Sequence, residues 1–129
     1  MKIQDAVIAI TGGAQGLGKE MALGLAKKGA NIALIDMNPK RLAETKNECN
    51  ALGVQAHTYQ CNVTIESEVE QTFDNIITDF GQLDGLVNNA GILQDGLLLK
   101  VKDGKVQKKL SLQQWQSVID VNLTGVFLC

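Results

Sequence analysis

The sequence predicts an α/β fold: a doubly wound parallel sheet with helices on both faces. Three observations predict it. Apolar strand-like runs alternate with amphipathic helical runs in a βαβαβαβ order, which demands parallel strands joined by right-handed crossovers. A glycine-rich turn, Thr11-Gly12-Gly13-Ala14-Gln15-Gly16-Leu17-Gly18, stands between the first strand and the first helix. Asp36 closes the second apolar run, about twenty residues beyond that turn.

Ala6-Val7-Ile8-Ala9-Ile10 reads as a buried first strand. Helix A is expected over residues 16–28, with Leu17, Met21 and Leu25 at helical spacing and Gly29 as its stop. Strand two occupies residues 31–36. Asn38-Pro39 is a cap followed by proline at the first helical position. It opens helix B, which carries Leu42, Cys49 and Leu52 inward and stops at Gly53. Strand three is expected over residues 54–61. Helix C begins near Thr64, buries Val69, Phe73, Ile76, Ile77 and Phe80, and stops at Gly81. Strand four is the short Gly85-Leu86-Val87, and the loop Asn88-Asn89-Ala90-Gly91 follows. Residues 99–109 break the rhythm: they alternate around Asp-Gly, a hairpin signal, and carry five lysines. Such charge is ordinarily a solvated face; an acidic partner is the other reading. Ser111-Leu112-Gln113-Gln114 is a capping box. The helix it opens is apolar almost all round at Leu112, Trp115, Val118, Ile119, Val121, Leu123, Val126 and Phe127, so it is expected to be buried on several sides.

With 129 residues, 45% of them apolar, the chain is one globular domain's worth. A net charge of −2 argues against a general nucleic-acid binder. No apolar run is long enough to span a bilayer, and the stretch from Met1 to Asp5 leaves no room for a signal peptide. Cys49, Cys61 and Cys129 are odd in number and lack metal-ligand or redox spacing, so they read as reduced thiols in a cytoplasmic protein with no metal site.

Glycines at a strand-to-helix turn let the backbone approach a ligand, and the helix N-terminus offers free N–H groups to a phosphate. A carboxylate at Asp36 can grip a ribose diol. Taken alone the turn is a weak signal. Residues 13–19 also match G-x-x-x-x-G-K, but position 20 is Glu where a phosphate-binding loop needs Ser or Thr for Mg²⁺. Each feature has a plain structural reading as well: glycines for packing, an aspartate ending a strand, asparagines making a turn.

The combination is far more specific. The glycine turn, Asp36, Cys61-Asn62-Val63, Asn88-Asn89-Ala90-Gly91 and Val121-Asn122 together resemble the short-chain dehydrogenase/reductase family along the whole chain. The resemblance implies a Rossmann-type sheet with a nicotinamide dinucleotide on it. Gly12, Gly16 and Gly18 would form the pyrophosphate turn, with Gln15 and Leu17 along it. Asp36 would take the adenosine ribose and repel a 2′-phosphate, so NAD(H) is expected over NADP(H). Met37, Asn62 and Val63 would lie by the adenine. Asn62 stands where the family commonly has aspartate; its amide is expected still to accept from the adenine amino group. Asn89, Ala90 and Gly91 would line the cofactor. Asn122 is the one residue with a catalytic reading, holding a water in a proton relay; its alternative is a helix kink or a polar packing contact.

The family's catalytic Tyr-x-x-x-Lys has no counterpart. Tyr59 has no Lys at the required spacing and sits in strand three, so no catalytic role passes to it. His57 shows no obvious partner, and Trp115 reads as core or subunit interface. The resemblance therefore implies the N-terminal half of a longer domain: residues 1–129 as an incomplete cofactor-binding unit of four strands with flanking helices, competent to bind cofactor but not to catalyse. Gly91-Ile92-Leu93-Gln94-Asp95-Gly96 resembles the 3-oxoacyl-[acyl-carrier-protein] reductases, which implies a secondary alcohol and ketone pair, with 3-hydroxyacyl/3-oxoacyl thioesters foremost. An acidic acyl carrier and a homodimer or homotetramer follow as expected partners. A non-enzymatic dinucleotide sensor on the same fold is the alternative.

Overall fold

The computed structural model describes residues 2–129; Met1, the first residue of the stretch read for a signal peptide, lies outside them. Four strands form one parallel sheet: β1 (Val7–Thr11), β2 (Asn31–Asp36), β3 (Ala56–Gln60) and β4 (Gly85–Val87), in the order β3-β2-β1-β4. Helices α1 (Gly16–Ala26), α2 (Pro39–Ala51) and α3 (Glu66–Phe80) make the crossovers. The sheet order reverses at β1, which pairs β2 on one side and β4 on the other. Ile10, Ile32, Leu34 and Leu42 are buried in the core on one face; Ile35, Val69 and Ile76 on the other.

The doubly wound parallel fold expected from the alternation is the fold observed. Strand two keeps its expected bounds, because Gly29 at φ +85° and the Asn38-Pro39 cap fence it on both sides. Asn38 Oδ1 accepts the Arg41 N–H at 3.1 Å, which caps α2. Other limits shift by one to two residues, as helix and strand ends do. The first strand runs one residue later than expected, α1 ends at Ala26, β3 is shorter at both ends and α3 starts at Glu66.

Several core assignments are corrected. Leu17 is 70% exposed. The buried stripe of α1 is Gly18, Ala22 and Ala26, with Met21 and Leu25 flanking it. Small residues there let the helix axis lie close to the sheet. Leu52 is exposed because α2 has already ended at Ala51. The stripe of α3 is Val69, Thr72 and Ile76; Phe73 and Phe80 pack half-buried beside it, and Ile77 turns to solvent.

The hairpin forms as expected: β5 (Leu99–Lys102) and β6 (Lys105–Lys109) pair antiparallel, with Asp103 at φ +52° and Gly104 at φ +72° making the turn. The capping box is present, with Ser111 Oγ accepting the Gln114 N–H at 3.1 Å and Gln114 Oε1 accepting the Ser111 N–H at 3.2 Å. The helix it opens is not uniform. An α segment, α4 (Leu112–Ile119), passes into a π segment (Asp120–Thr124) and returns to α5 (Gly125–Leu128). Nor is it buried all round: Leu112 and Phe127 are exposed, and Trp115, at 56%, is no core residue of this chain. Among the described residues no helix is long and apolar enough to cross a membrane.

Candidate functional site

In an open parallel sheet the carboxyl ends of the strands face a crevice where the strand order reverses. Here that crevice is a cleft of about 350 Å³, and its walls come from the segments that leave β1, β2, β3 and β4. The π segment adds Val121.

From β1 come Gly12, Gln15 and Gly16. Gly12 is at φ +65°, and a Cβ there would lie 2.8 Å from Asn89 Nδ2 and 3.1 Å from Ala90 Cα. Gly16 is at φ +54° with open space where its Cβ would be, so its glycine serves the left-handed turn. Gly18 serves close approach instead: its Cβ would stand 2.1 Å from the Gly12 carbonyl oxygen. Gln15 precedes α1 in extended conformation, and no side chain caps that helix. Its first-turn N–H groups are thus left for a ligand, as an anion site requires. Gly18 and Leu17 themselves do not line the cleft.

From β2 come Ile35, Asp36 and Met37. Asp36 ties two loops together: Oδ2 accepts the Ala14 N–H at 3.2 Å and Oδ1 the Asn38 N–H at 3.1 Å. An ionised carboxylate has about four acceptor sites, so each oxygen keeps one for a hydroxyl.

From β3 come Cys61, Asn62 and Val63. Asn62 Oδ1 already accepts from the Thr64 N–H at 3.1 Å and the Thr64 hydroxyl at 2.8 Å, while Asn62 N–H donates to Glu68 Oε2 at 2.7 Å. The oxygen expected to meet an adenine amino group is filled by this turn, because the Thr64 N–H can only donate. Nδ2 is the atom Asn62 has left to offer. Burial pushes the Cys61 thiol up from its ordinary value, so it stays neutral at pH 7 and is no nucleophile.

From β4 come Asn89, Ala90, Gly91 and Ile92; Asn88 lies outside the cleft. The buried hydroxyl of Thr11 ties this loop to β1. It accepts the Asn89 and Ala90 N–H groups, both at 3.0 Å, and donates to the Val87 carbonyl at 3.4 Å. Asn89 Nδ2 returns bonds to the carbonyls of Thr11 at 3.0 Å and Gly12 at 3.2 Å.

Asn122 sits in the π segment and does not itself line the cleft. Its Oδ1 accepts the Ile92 N–H at 2.8 Å and its Nδ2 donates to the Ile92 carbonyl at 2.9 Å. The side-chain amide is thus a two-point clamp on the β4 loop. Widening the helix by one residue leaves backbone groups out of register, and such segments recur at functional sites.

Lys19, which completes the G-x-x-x-x-G-K match, pairs with Glu48 Oε1 at 2.7 Å across α1 and α2. It is turned away from phosphate chemistry. His57 does have a partner, contrary to expectation: Nδ1 lies 3.2 Å from Asp79 Oδ2, which also accepts the Tyr59 hydroxyl at 2.7 Å. Burial, and then Asp79, push the Tyr59 phenol well above its ordinary value; it stays protonated and structural.

Ile35, Cys61, Ile92 and Val121 line the cleft but were not assigned to it from the sequence. Ile35 and Cys61 directly precede assigned residues, a signal that was available. Ile92 and Val121 likewise adjoin the assigned Gly91 and Asn122, but their place in the cleft depends on how the π segment meets the β4 loop.

The short chain dehydrogenase family model matches residues 6–129. The chain belongs to that family. It is 40% identical over 121 residues to 3-oxoacyl-[acyl-carrier-protein] reductase FabG of Staphylococcus aureus strain Mu50, covering 93% of this chain and 46% of that protein. The enzyme of the same name from Thermotoga maritima is 34% identical over 127 residues, covering 98% and 48%. Among solved structures, NAD⁺-bound xylitol dehydrogenase superposes with a TM-score of 0.84 at 35% identity, covering 99% of this chain and 46% of that one. Carveol dehydrogenase from Mycobacterium avium in complex with NAD gives 0.85 at 32% identity, covering 98% and 47%. The short chain dehydrogenase domain described here spans about half the length of these relatives.

Proposed function

We propose that this chain is the cofactor-binding half of an NAD(H)-dependent oxidoreductase that interconverts a secondary alcohol and a ketone, with 3-hydroxyacyl/3-oxoacyl thioesters as substrate class. The observation that carries the reading is Asp36. Its carboxylate borders the cleft and is held in place by two backbone N–H groups. A ribose diol satisfies it; a 2′-phosphate meets a like charge, and Gln15 brings no cation to offset that. The uncapped α1 N-terminus suits the pyrophosphate, and Met37, Val63 and Asn62 flank the adenine. When bound, the dinucleotide accepts or delivers a hydride. This chain's part is to fix the cofactor, to exclude water with Ile92 and Val121, and to hold the β4 loop through Asn122. Domain boundaries follow the same reading: residues 1–129 contribute the glycine-turn half of the fold, and the proton-transferring Tyr-x-x-x-Lys belongs to the remainder. Exposed Leu112, Trp115 and Phe127 support assembly as a homodimer or homotetramer, and the free thiols support a cytoplasmic setting.

The test is cofactor titration of the full-length protein by NADH and NADPH fluorescence, alongside Asp36→Ser. The wild type is expected to bind NADH at least about tenfold more tightly than NADPH, since like-charge contacts cost several kcal/mol. Asp36→Ser should lose most of that preference. Equal or tighter NADPH binding by the wild type overturns the assignment.

A further inference from the structure

The hairpin is an excursion of the segment that leaves β4, the strand whose loop walls the cleft. Its register decides what it shows. Leu99 faces Lys109, Lys100 faces Lys108, Val101 faces Val106 and Lys102 faces Lys105, with Gln107 taken up in a bulge. Strand neighbours alternate between faces and cross-strand partners share one. Lys100, Lys102, Lys105 and Lys108 therefore stand on one face, while Leu99, Val101 and Val106 stand on the other. All four lysines are exposed. Among the described residues the ion pairs are Lys19–Glu48 and His57–Asp79, so no carboxylate holds any of the four.

This is a costly arrangement. Like charges directly opposite each other destabilise a strand pair, and a two-stranded hairpin is marginal on its own. The chain as a whole is anionic at −2, so the cations are concentrated here against the overall balance. The hairpin also lies near the site. Ile92 lines the cleft, and the chain from there to Leu99 spans at most about 25 Å. The stem is closed by the Leu110 N–H on the Leu98 carbonyl at 3.0 Å.

We propose that this lysine face docks the acidic carrier protein that presents the acyl thioester to the cleft. The inference rests on the thioester reading above and adds where the carrier sits. Complementary charge steers encounter and register, so the four lysines would lower KM for the carrier-borne substrate and leave the chemistry untouched.

The test compares one 3-oxoacyl chain on an acidic acyl carrier protein with the same chain on uncharged N-acetylcysteamine, using the full-length enzyme. The variant is K100E/K102E/K105E/K108E, with the four Lys→Gln changes as a milder second. Expected for the reversal is a rise of at least about tenfold in KM for the carrier substrate. Its kcat, and KM for the N-acetylcysteamine thioester, should not change. The Gln variant should fall between. Wild-type KM for the carrier should climb with salt and the variant's should not. Equal shifts on both substrates, or none on the carrier, overturn the docking proposal alone. A wild type that turns over neither thioester overturns the thioester reading, and docking with it. Wild-type binding to anionic vesicles that the variant loses, with carrier KM unchanged, reassigns the face to a membrane surface.

Discussion

Gly18→Ala isolates the close approach between α1 and the glycine turn. The backbone at Gly18 is not left-handed, so the added methyl brings no conformational penalty. It brings a collision: the Cβ would stand 2.1 Å from the Gly12 carbonyl oxygen, 2.6 Å from Asn89 Nδ2 and 2.8 Å from the Gly12 carbonyl carbon. Two of these are backbone atoms and cannot rotate away. Ordinary contact requires α1 to withdraw by about 1 Å. Overpacking of this kind costs about 1–3 kcal/mol, and a displacement of about 1 Å at a positioned ligand can cost about a hundredfold in rate.

Gly24→Ala, in the same helix, is the control. Nothing lies within 4 Å of its Cβ position, so the change should stabilise by about 0.5–1 kcal/mol through helix propensity. The assay is urea unfolding followed by tryptophan fluorescence and circular dichroism, with NADH titration on each variant. Gly18→Ala should lose stability and weaken NADH binding at least about tenfold, while Gly24→Ala gains stability and binds as the wild type. Wild-type stability and affinity in Gly18→Ala would refute the reasoning. So would equal losses in both variants, because the effect would then belong to the helix and not to the contact.

Three further outcomes follow from the hydrogen-bond network. Thr11→Val keeps the shape but strands the half-buried Ala90 N–H and leaves the Asn89 N–H on the Val87 carbonyl alone; urea unfolding should show a loss of about 1–3 kcal/mol, against about 1 kcal/mol or less for Thr11→Ser. Asn122→Ala releases both bonds to Ile92; hydrogen exchange should show Ile92 losing protection, at about 1–2 kcal/mol of global stability. The Tyr59 hydroxyl first, and His57 after it, hold the Asp79 carboxyl below its usual value. A depressed folded pKa contributes stability above the unfolded carboxylate value of about 3.9, lost as pH falls through the depressed one. Tyr59→Phe should therefore flatten the acid limb of a urea-midpoint profile below about pH 4, and a limb unchanged from the wild type would count against the pair.

What the sequence made legible was whatever a local rule governs. Strand two could be bounded because Gly29 and Asn38-Pro39 fence it, and the hairpin because Asp-Gly demands positive φ at both turn residues. The cleft lining at Gly12, Gln15, Gly16, Asp36 and Met37 could be named because strand ends feed the crevice in this topology. What stayed hidden was phase and tertiary fit. Hydropathy points Leu17 inward on α1, whereas the face that meets the Gly12 carbonyl admits only glycine at position 18, and the buried stripe continues from Gly18 through Ala22 and Ala26. Ile77 and Leu52 read inward in the helical pattern, but Ile77 lies beside the buried stripe of α3 and Leu52 lies past the end of α2. The π segment at Asp120–Thr124 carries no propensity signal; an asparagine between Val121 and Leu123 was the only hint.

The same bonds that close the sheet also shape the cleft. Thr11 is the last residue of β1, and its side chain holds the first residues after β4; Asn89 answers by holding the carbonyls of Thr11 and Gly12. The two strands on either side of the reversal are thereby locked at the end where a ligand would lie. Asp36 does the same between β2 and the turn, through the Ala14 N–H. None of these side chains is spent on the ligand alone. Each first fixes the relative positions of two loops, and only the hydrogen-bonding capacity left over faces the cleft. A substitution there should move stability and cofactor affinity together, whereas one on the lysine face of the hairpin should move affinity for the carrier and leave cofactor affinity unchanged. That contrast would separate the cleft from the proposed carrier-docking face.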